Sequence, residues 1–283
     1  MPIPSLDDAT TRPVAVIGAG TLGRRIAAML TGHGADVRLY DIFAAQLREA
    51  AAYVNDTAPG LAEQSGKLGN LTTTTDMQAA VSTAWLVVEA VPERLELKRE
   101  VFAQLDELAP PDAILATNSS SLKSSLLIDE VSKPERVLNA HFYQPPRWNA
   151  VELMSCGQTD PTAIELLMAM LARHGLEPFH VRKESTGFIY NRVWAAIKRE
   201  ALLVVADGVA EPEDIDRIFC SLHGAEMGPF RLMDLVGLDV VLDIEEIYAA
   251  ERDGTPEGPR RVLRGMIASG KLGVKSGEGF YRY

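Results

Sequence analysis

A short apolar run near the start of the chain ends in three closely spaced glycines. Residues 14–17 read Val-Ala-Val-Ile, and Gly18, Gly20 and Gly23 follow in the sequence Gly-Ala-Gly-Thr-Leu-Gly. Gly18 permits a tight turn out of a strand, Gly20 lets backbone N–H groups approach a pyrophosphate, and Gly23 lets a helix pack closely on the sheet. The pattern predicts a βαβ unit that binds a dinucleotide at the start of its first helix.

An acidic residue follows the second predicted strand of this unit. Asp41 comes directly after the run Val37-Arg-Leu-Tyr40, and its spacing from the last glycine is 41 − 23 = 18 residues. A carboxylate at this place accepts hydrogen bonds from the hydroxyls of an adenosine ribose and repels a 2′-phosphate. The sequence therefore predicts NAD rather than NADP, with Thr21 and Leu22 completing the cofactor loop. A merely structural glycine turn is the alternative, which the order of strand, glycines, helix, strand and acid disfavours.

The composition is that of a globular enzyme. The 283 residues are 47% hydrophobic and 24% charged, which suits one large domain or two ordinary ones. The formal net charge of −11 disfavours nucleic acid and anionic membranes as partners. No apolar run approaches the ~20 residues of a membrane-spanning helix, and the first residues show no signal or transit peptide. We expect a cytoplasmic protein with a small-molecule substrate. The two cysteines, Cys156 and Cys220, lack ligand-like spacing, so we expect no metal site.

Strand-like and helix-like runs alternate up to about residue 183. We predict strands over 81–88, 114–117 and 137–142 and a helix over 95–108. This alternation is typical of a mostly parallel sheet with helices on both faces. Beyond this point the strand-like runs stop. We therefore predict an α/β fold, with a Rossmann-type NAD-binding domain over residues 1–183 followed by an all-helical C-terminal domain over residues 184–283.

The second predicted domain opens with a long helix over 187–205. Apolar residues recur every four positions, at Ile189, Val193, Ile197 and Ala201, which predicts one buried face. Asn191 lies about 200° around the helix from Ile189, so we expect it to face either solvent or the first domain. The chain ends in a segment punctuated by glycines and closed by aromatic residues, which predicts a loop that docks on the body of the protein.

Polar residues stand where predicted strands end, at the sheet edge that binds ligands in α/β folds. His141 belongs to the strand over 137–142, and Glu152 belongs to the next apolar run, so the two side chains are expected to meet across a short loop. A histidine suits proton exchange with an alcohol because its free pKa is about 6.5. A core histidine bonded to backbone is the alternative. The hydroxyls around Ser120 either cap a following helix, predicted over 122–128, or contact a ligand.

The chain resembles the L-3-hydroxyacyl-CoA dehydrogenases along nearly its whole length. Besides the glycine loop, six motifs carry the similarity in order: Val-Val-Glu-Ala-Val-Pro-Glu, Thr-Asn-Ser-Ser-Ser-Leu, Ala-His-Phe-Tyr, Gly-Phe-Ile-Tyr-Asn-Arg, Met-Gly-Pro-Phe and Gly-Lys-Leu-Gly-Val-Lys-Ser-Gly-Glu-Gly-Phe-Tyr. The resemblance implies NAD-dependent oxidation of an L-3-hydroxyacyl group in fatty acid metabolism. It also implies a helical domain that contributes to the substrate cleft and forms a homodimer.

The resemblance assigns roles to individual residues. It implies a catalytic pair of His141 with Glu152, while Ser120 and Asn191 hold the 3-oxygen of the substrate. A further set is implied to lie near the cofactor: Glu89, Arg94, Gln144, Lys275 and again Ser120.

Two departures from the family bear on the substrate. The family usually reads His-Phe-Phe-Asn-Pro with its glutamate 12 residues beyond the histidine, whereas this chain reads His-Phe-Tyr-Gln-Pro with a spacing of 152 − 141 = 11. The family also places a longer helical hairpin after the ribose acid and uses it to embrace coenzyme A. Here residues 41–71 span only 71 − 41 = 30 positions and contain one lysine, Lys67. We therefore expect a shortened hairpin that binds coenzyme A weakly or not at all.

Three functions stay open at this stage. The first is interconversion of an L-3-hydroxyacyl-CoA substrate and its 3-keto form. The second is the same chemistry on a CoA-free β-hydroxy acid, sugar acid or β-keto compound, with Arg147 and Trp148 shaping a smaller pocket and Arg147 meeting a carboxylate. The third is an NAD-binding protein without turnover, which the intact set of catalytic candidates disfavours.

Overall fold

The computed structural model describes residues 3–283 and separates into two units. The first unit ends at Phe188, and the second comprises Ile189–Tyr283. An eight-stranded sheet runs through the first unit, while the second unit is built from helices. The predicted fold class, a Rossmann-type domain followed by a helical domain, is confirmed.

The strands are short and follow one another along the chain with helices between most of them. They are β1 (Val14–Ile17), β2 (Val37–Tyr40), β3 (Leu71–Thr74), β4 (Leu86–Glu89), β5 (Ile114–Thr117), β6 (Val137–Phe142), β7 (Ala150–Ser155) and β8 (Glu177–Val181).

The strand order across the sheet is β3-β2-β1-β4-β5-β6-β7-β8. Strands β1 to β6 all run parallel to one another, β7 is antiparallel to β6, and β8 is parallel to β7. The chain order reverses between β1 and β4, because β2 lies on one side of β1 and β4 on the other. In open sheets of this kind, ligands bind outside the carboxyl ends of the strands at such a reversal.

Among residues 3–188, the first unit contains six α-helices. They are α1 (Leu6–Thr11), α2 (Thr21–Thr31), α3 (Ala44–Ser65), α4 (Met77–Val81), α5 (Leu95–Leu108) and α6 (Pro161–Arg173). Side chains of β1 alternate between two apolar layers, with Val14 and Val16 in one and Ala15 and Ile17 in the other. Both faces of the sheet are therefore covered, which explains why its strands read as continuous apolar runs.

The structure corrects three local predictions in this unit. The strand predicted over 81–88 is confined to β4, because Val81 ends α4 and short buried apolar runs do not distinguish a helix end from a strand. The helix predicted over 122–128 forms two short 3₁₀ turns, at 124–126 and 128–130. The segment after Asp41 folds as one continuous helix, α3, and contains no hairpin.

The second unit packs five helices around a small apolar core. They are α7 (Tyr190–Ala206), α8 (Pro212–His223), α9 (Pro229–Val236), α10 (Leu238–Glu251) and α11 (Gly258–Ala268). Its core side chains come from four of these helices: Ala201, Leu202, Phe230, Met233, Leu238, Val241 and Leu263. Within residues 3–283, none of the helices combines the length and apolar character that crossing a membrane requires.

The predicted buried face of α7 is confirmed only toward its C-terminal end, where Ala201 is 7% exposed and Ile197 is half-buried. Ile189, just before the helix, is 45% exposed and Val193 is 54% exposed, whereas Ala195 and Lys198 are buried. Residues spaced strictly by four advance about 40° per step around a helix with 3.6 residues per turn. A row of such residues therefore winds around the helix and cannot form one buried face over its length.

The predicted docking of the final segment is observed within the second unit. The buried carboxylate of Asp234 accepts hydrogen bonds of 2.9 Å from the backbone N–H groups of Phe280 and Tyr281 and one of 3.1 Å from the hydroxyl of Tyr283. Burial and this neighbouring carboxylate raise the pKa of Tyr283 to about 12. One side chain of α9 thus holds the end of the chain in place.

Candidate active site

The glycine loop between β1 and α2 is sterically closed around two of its glycines. Gly18 has a φ of +103°, and a Cβ there would lie 2.7 Å from the carbonyl oxygen of Ala90. A Cβ on Gly23 would lie 1.8 Å from the oxygen of Gly18, so only glycine fits at either position. At Gly20, which begins α2, the space is open and no side chain caps the helix. The first N–H groups of α2 are therefore available to an anion.

A cavity of about 770 Å³ lies beside this loop. Its lining includes five of the residues predicted to bind the cofactor: Gly18, Gly20, Thr21, Leu22 and Asp41. Arg94 also lines it, as the resemblance implies. An open glycine loop, an uncapped helix start and an acid at the end of β2 fit the pyrophosphate and ribose of NAD.

The carboxylate of Asp41 is held by the backbone around it. Its Oδ2 accepts a 2.8 Å hydrogen bond from the N–H of Ala19, and its Oδ1 accepts a 2.9 Å bond from the N–H of Phe43. Each oxygen keeps further lone pairs that can accept from ribose hydroxyls. The fixed negative charge disfavours a 2′-phosphate at the same place.

Glu89 ends β4 and is fully buried. Its Oε1 accepts hydrogen bonds of 2.7 Å from Nζ of Lys98 and from the N–H of Val91, and its Oε2 accepts a 2.6 Å bond from the hydroxyl of Thr117. The side chain of Lys98 is itself only 1% exposed. Glu89 is not among the residues that line the cavity. The structure gives it three protein donors, and its predicted contact with the cofactor stays a prediction.

Glu93 organises the loop after β5, a role that the sequence did not suggest. Its Oε1 accepts hydrogen bonds from the hydroxyl of Ser119, from the hydroxyl of Ser121 at 2.7 Å and from the N–H of Ser121 at 3.1 Å. Burial opposes ionisation of Glu93, but these hydrogen bonds and the charge of Lys98 together hold its pKa below the usual value. Ser120 lies between the two bonded serines and is exposed. Glu93 therefore binds the hydroxyls of the two flanking serines and leaves the hydroxyl of Ser120 exposed.

His141 and Glu152 are direct cross-strand partners. They are paired in register on the antiparallel strands β6 and β7, so their side chains share one face of the sheet. Both are buried, at 7% and 3% exposed, and Nδ1 of His141 lies 3.6 Å from Oε2 of Glu152. Within residues 3–283, this Nδ1 atom has no hydrogen-bond partner. A short movement would bring the two groups into contact.

Tyr143 is the third member of this cluster and was not singled out from the sequence. Its hydroxyl donates a 2.6 Å hydrogen bond to Oε2 of Glu152, and its ring centroid lies 4.4 Å from that of His141. The ring of Phe188 lies 5.2 Å from the imidazole. The imidazole is therefore enclosed by two aromatic rings and faces one carboxylate.

Of three other candidates, one has local backbone strain and one has a local partner. Gln144 is exposed, with a φ of +51°. In the second unit, Lys275 forms a 2.5 Å ion pair with Asp239, and Asn191 is half-buried near the start of α7. None of the three is among the residues that line the 770 Å³ cavity. Their predicted roles stay predictions.

The residues expected to shape a smaller pocket contact each other. The guanidinium carbon of Arg147 lies 4.5 Å from the ring centroid of Trp148, whose side chain is 51% exposed.

Among the described residues, no group of three or more His, Cys, Asp or Glu side chains is arranged to hold a metal ion.

The parallel sheet, the glycine loop and the cavity beside Asp41 define an NAD-binding domain of the Rossmann type. A family model for the 3-hydroxyacyl-CoA dehydrogenase NAD binding domain matches residues 13–185. A second model, for the 3-hydroxyacyl-CoA dehydrogenase C-terminal domain, matches residues 187–283. The chain belongs to the 3-hydroxyacyl-CoA dehydrogenase family, whose members are NAD-dependent oxidoreductases. The predicted family and cofactor are confirmed.

Relatives within this family carry names that imply different substrates. The chain is 34% identical to 5-formyl-3-hydroxy-2-methylpyridine 4-carboxylate 5-dehydrogenase of Mesorhizobium japonicum, and the alignment covers 96% of this chain and 91% of that protein. The solved structure of a diketoreductase that acts on dicarbonyl compounds is 34% identical, with a TM-score of 0.78 over 96% of this chain and 99% of that one. The (S)-3-hydroxybutyryl-CoA dehydrogenase of Ralstonia eutropha is 31% identical, with a TM-score of 0.84 over the same shares.

Proposed function

We propose that this protein interconverts a 3-hydroxy compound and its 3-keto form, with His141 as the group that exchanges the hydroxyl proton. The observation that carries the proposal is the register pairing of His141 with Glu152. During oxidation, an imidazole nitrogen accepts the proton of the substrate hydroxyl, and Glu152 stabilises the resulting positive charge. During reduction the proton returns to the forming alkoxide. Bound NAD accepts the hydride in one direction, and NADH supplies it in the other.

The exposed hydroxyl of Ser120 is proposed to donate a hydrogen bond to the 3-oxygen of the substrate. The support is its position between two serines that Glu93 holds in place. Asn191 is proposed to contribute a second donor from its side-chain amide. Donors held in place stabilise the charge that develops on oxygen without reorganising during the reaction. Glu89, Gln144 and Lys275 are proposed to act near the cofactor, as the resemblance implies.

The leading substrate is an L-3-hydroxyacyl thioester of coenzyme A, the class after which the family is named. A CoA-free β-keto or β-hydroxy compound is the second candidate, and α3 favours it. This element is a single helix whose 22 residues contain no lysine, whereas Glu49, Asp56 and Glu63 outnumber Arg48. Such a surface offers little to the phosphates of coenzyme A.

A homodimer is proposed to form through the second unit. Ile218 and Leu222 lie four residues apart on α8 and are 60% and 76% exposed. Large apolar side chains on one helix face are typical of an interface. Leu222→Asp should shift the protein toward a monomer in sedimentation, and an unchanged mass would contradict this interface.

The experiment that tests the catalytic proposal measures NADH consumption by the wild-type protein and by His141→Ala. The substrates are acetoacetyl-CoA, acetoacetate and CoA-free β-keto esters. His180→Ala is the matched control, because His180 is exposed on β8. We expect the His141 variant to lose turnover and retain NADH binding, measured by fluorescence. Full turnover by this variant would remove His141 from the mechanism, and turnover of the CoA-free compounds alone would select the second substrate class.

A further inference from the structure

Two adjacent arginines on α2 have guanidinium groups without a charged partner among residues 3–283. Arg24 and Arg25 both approach the ring of Tyr53 on α3, with their Cζ atoms 5.2 and 5.9 Å from its centroid. The Nε atoms of both arginines are buried, and within residues 3–283 neither has a hydrogen-bond partner. Neither guanidinium lies within 4.0 Å of a carboxylate oxygen of any described residue. Two positive charges thus share one aromatic ring without a compensating carboxylate.

Acidic side chains on α3, the helix that carries Tyr53, do not neutralise the two arginines. Glu49 lies one turn before Tyr53 in α3, and Asp56 lies three residues after it. Neither forms an ion pair with the two arginines. The unpaired charge is therefore a property of how α2 and α3 pack, in a chain with an excess of acidic residues.

Arg25 contacts the loop that follows β6, the strand that carries His141. Nη1 of Arg25 donates a 3.5 Å hydrogen bond to the carbonyl oxygen of Pro145. Pro145 belongs to the loop between β6 and β7, the two strands that carry His141 and Glu152. Neither arginine is among the residues that line the cavity beside Asp41. The pair thus lies on the proposed substrate side of the sheet edge and outside the cofactor cavity.

We propose that Arg24 and Arg25 form a binding site for an oxyanion of the substrate. Each guanidinium presents several N–H donors in one plane, which matches the two oxygens of a carboxylate or of a phosphate. Arg147, which the sequence suggests for contact with a carboxylate, instead stacks on Trp148. The new assignment rests on the proposed function only in that the anion belongs to the substrate.

The carboxylate of a CoA-free β-keto acid and a phosphate of a coenzyme A thioester share this chemistry. Two matched pairs of substrates show which of these two anions the arginines bind. Acetoacetate and its neutral methyl ester differ in the carboxylate, while acetoacetyl-CoA and the neutral S-acetoacetyl-N-acetylcysteamine differ in the nucleotide phosphates. KM and kcat for each compound are measured with NADH for the wild-type protein, Arg24→Met, Arg25→Met and Arg25→Lys. Arg48→Met removes an exposed positive charge from α3 and serves as the control.

We expect Arg25→Met to raise KM for one anionic substrate on the order of tenfold to a hundredfold, the range for loss of a charge-assisted hydrogen bond. Its neutral counterpart should keep the wild-type KM, and Arg25→Lys should recover part of the loss. The anionic compound that responds identifies the source. Equal changes in KM for the anionic and neutral members of both pairs would overturn the site, as would a rise confined to KM for NADH.

A binding measurement separates this proposal from the catalytic one. Calorimetric titration with acetoacetate and with coenzyme A requires no turnover. The wild-type protein should bind one of the two at least about tenfold more tightly than Arg25→Met does. Equal affinities of both proteins for both ligands would overturn the anion site even if His141 proves essential. Conversely, a difference in affinity would support the site even if none of the four substrates is reduced.

Discussion

The hydroxyl of Tyr143 donates a 2.6 Å hydrogen bond to Oε2 of Glu152. The same oxygen lies 3.6 Å from Nδ1 of His141, which is beyond hydrogen-bond distance. The phenol and the imidazole therefore compete for one carboxylate oxygen. Tyr143 is expected to act as a positioning residue for the catalytic pair.

Tyr143→Phe removes this hydrogen bond and leaves the ring in place. The carboxylate is then free to turn toward the imidazole and stabilise the charge that forms there, so kcat/KM for alcohol oxidation should rise. A hydrogen bond contributes about 1 kcal/mol net, which corresponds to a change of about fivefold. Steady-state rates of NAD reduction measure this. Tyr283→Phe, which removes a phenol–carboxylate bond in the second unit, is the control, and an unchanged kcat/KM for Tyr143→Phe would refute the competition.

Asp41→Ala should weaken NADH binding by about tenfold to a hundredfold, the effect of losing one or two charge-assisted hydrogen bonds. The preference over NADPH should fall further, because the charge that repels a 2′-phosphate is removed. Dissociation constants for both cofactors test this prediction. Asp36→Asn is a suitable control, since Asp36 precedes β2 and its carboxylate contacts Asn70. A wild-type protein that prefers NADPH would show that the ribose assignment of Asp41 is wrong.

Glu93 should make the stability of the first unit depend on pH. Its pKa is held below the ordinary value of 4.5 in the folded protein. A lowered pKa stabilises the folded state above 4.5, and this stabilisation is lost as the pH falls through the folded-state pKa. The free energy of unfolding of Glu93→Gln should thus differ from that of wild type at neutral pH and approach it in acid. A difference that stays constant with pH would exclude this linkage.

The buried pair of Lys98 and Glu89 should respond strongly to removal of one partner. Their side chains are 1% and 0% exposed and lie 2.7 Å apart. Lys98→Met leaves the carboxylate buried without its cation, which should cost about 3–5 kcal/mol in the free energy of unfolding. The double variant Glu89→Gln, Lys98→Met should be more stable than Lys98→Met alone. Urea denaturation of wild type, Glu89→Gln, Lys98→Met and the double variant provides a double-mutant cycle. Additive changes in the free energy of unfolding would mean that the two charges do not interact.

The first βαβ unit was predictable because each glycine meets a separate steric requirement. The helix over 95–108 and the strands over 114–117 and 137–142 also agree with α5, β5 and β6. In these segments the local pattern and the tertiary environment favour the same structure. The buried face of α7 was not predictable from spacing alone, since Lys198 is buried there while Val193 is exposed.

The residues that support the site could not be predicted from the sequence, for a different reason. Lys98 lies in an amphipathic helix, where a lysine usually faces solvent, and only the fold shows that it is enclosed by Glu89 and Glu93. Tyr143 reads from the sequence as one more aromatic residue at a strand end. Its meaning depends on β7 running antiparallel to β6, which no motif in the chain specifies.

Three strands separate the strand that precedes Asp41 from the strand that carries His141. Four steps of about 4.8 Å place the ends of β2 and β6 about 19 Å apart across the sheet. Substitutions at such a distance usually act independently. Natural selection, or a protein engineer, can therefore change the compound that is oxidised without changing the residues that bind the nucleotide. That modularity offers a physical reason why one scaffold serves relatives named for a pyridine carboxylate and for a hydroxybutyryl thioester.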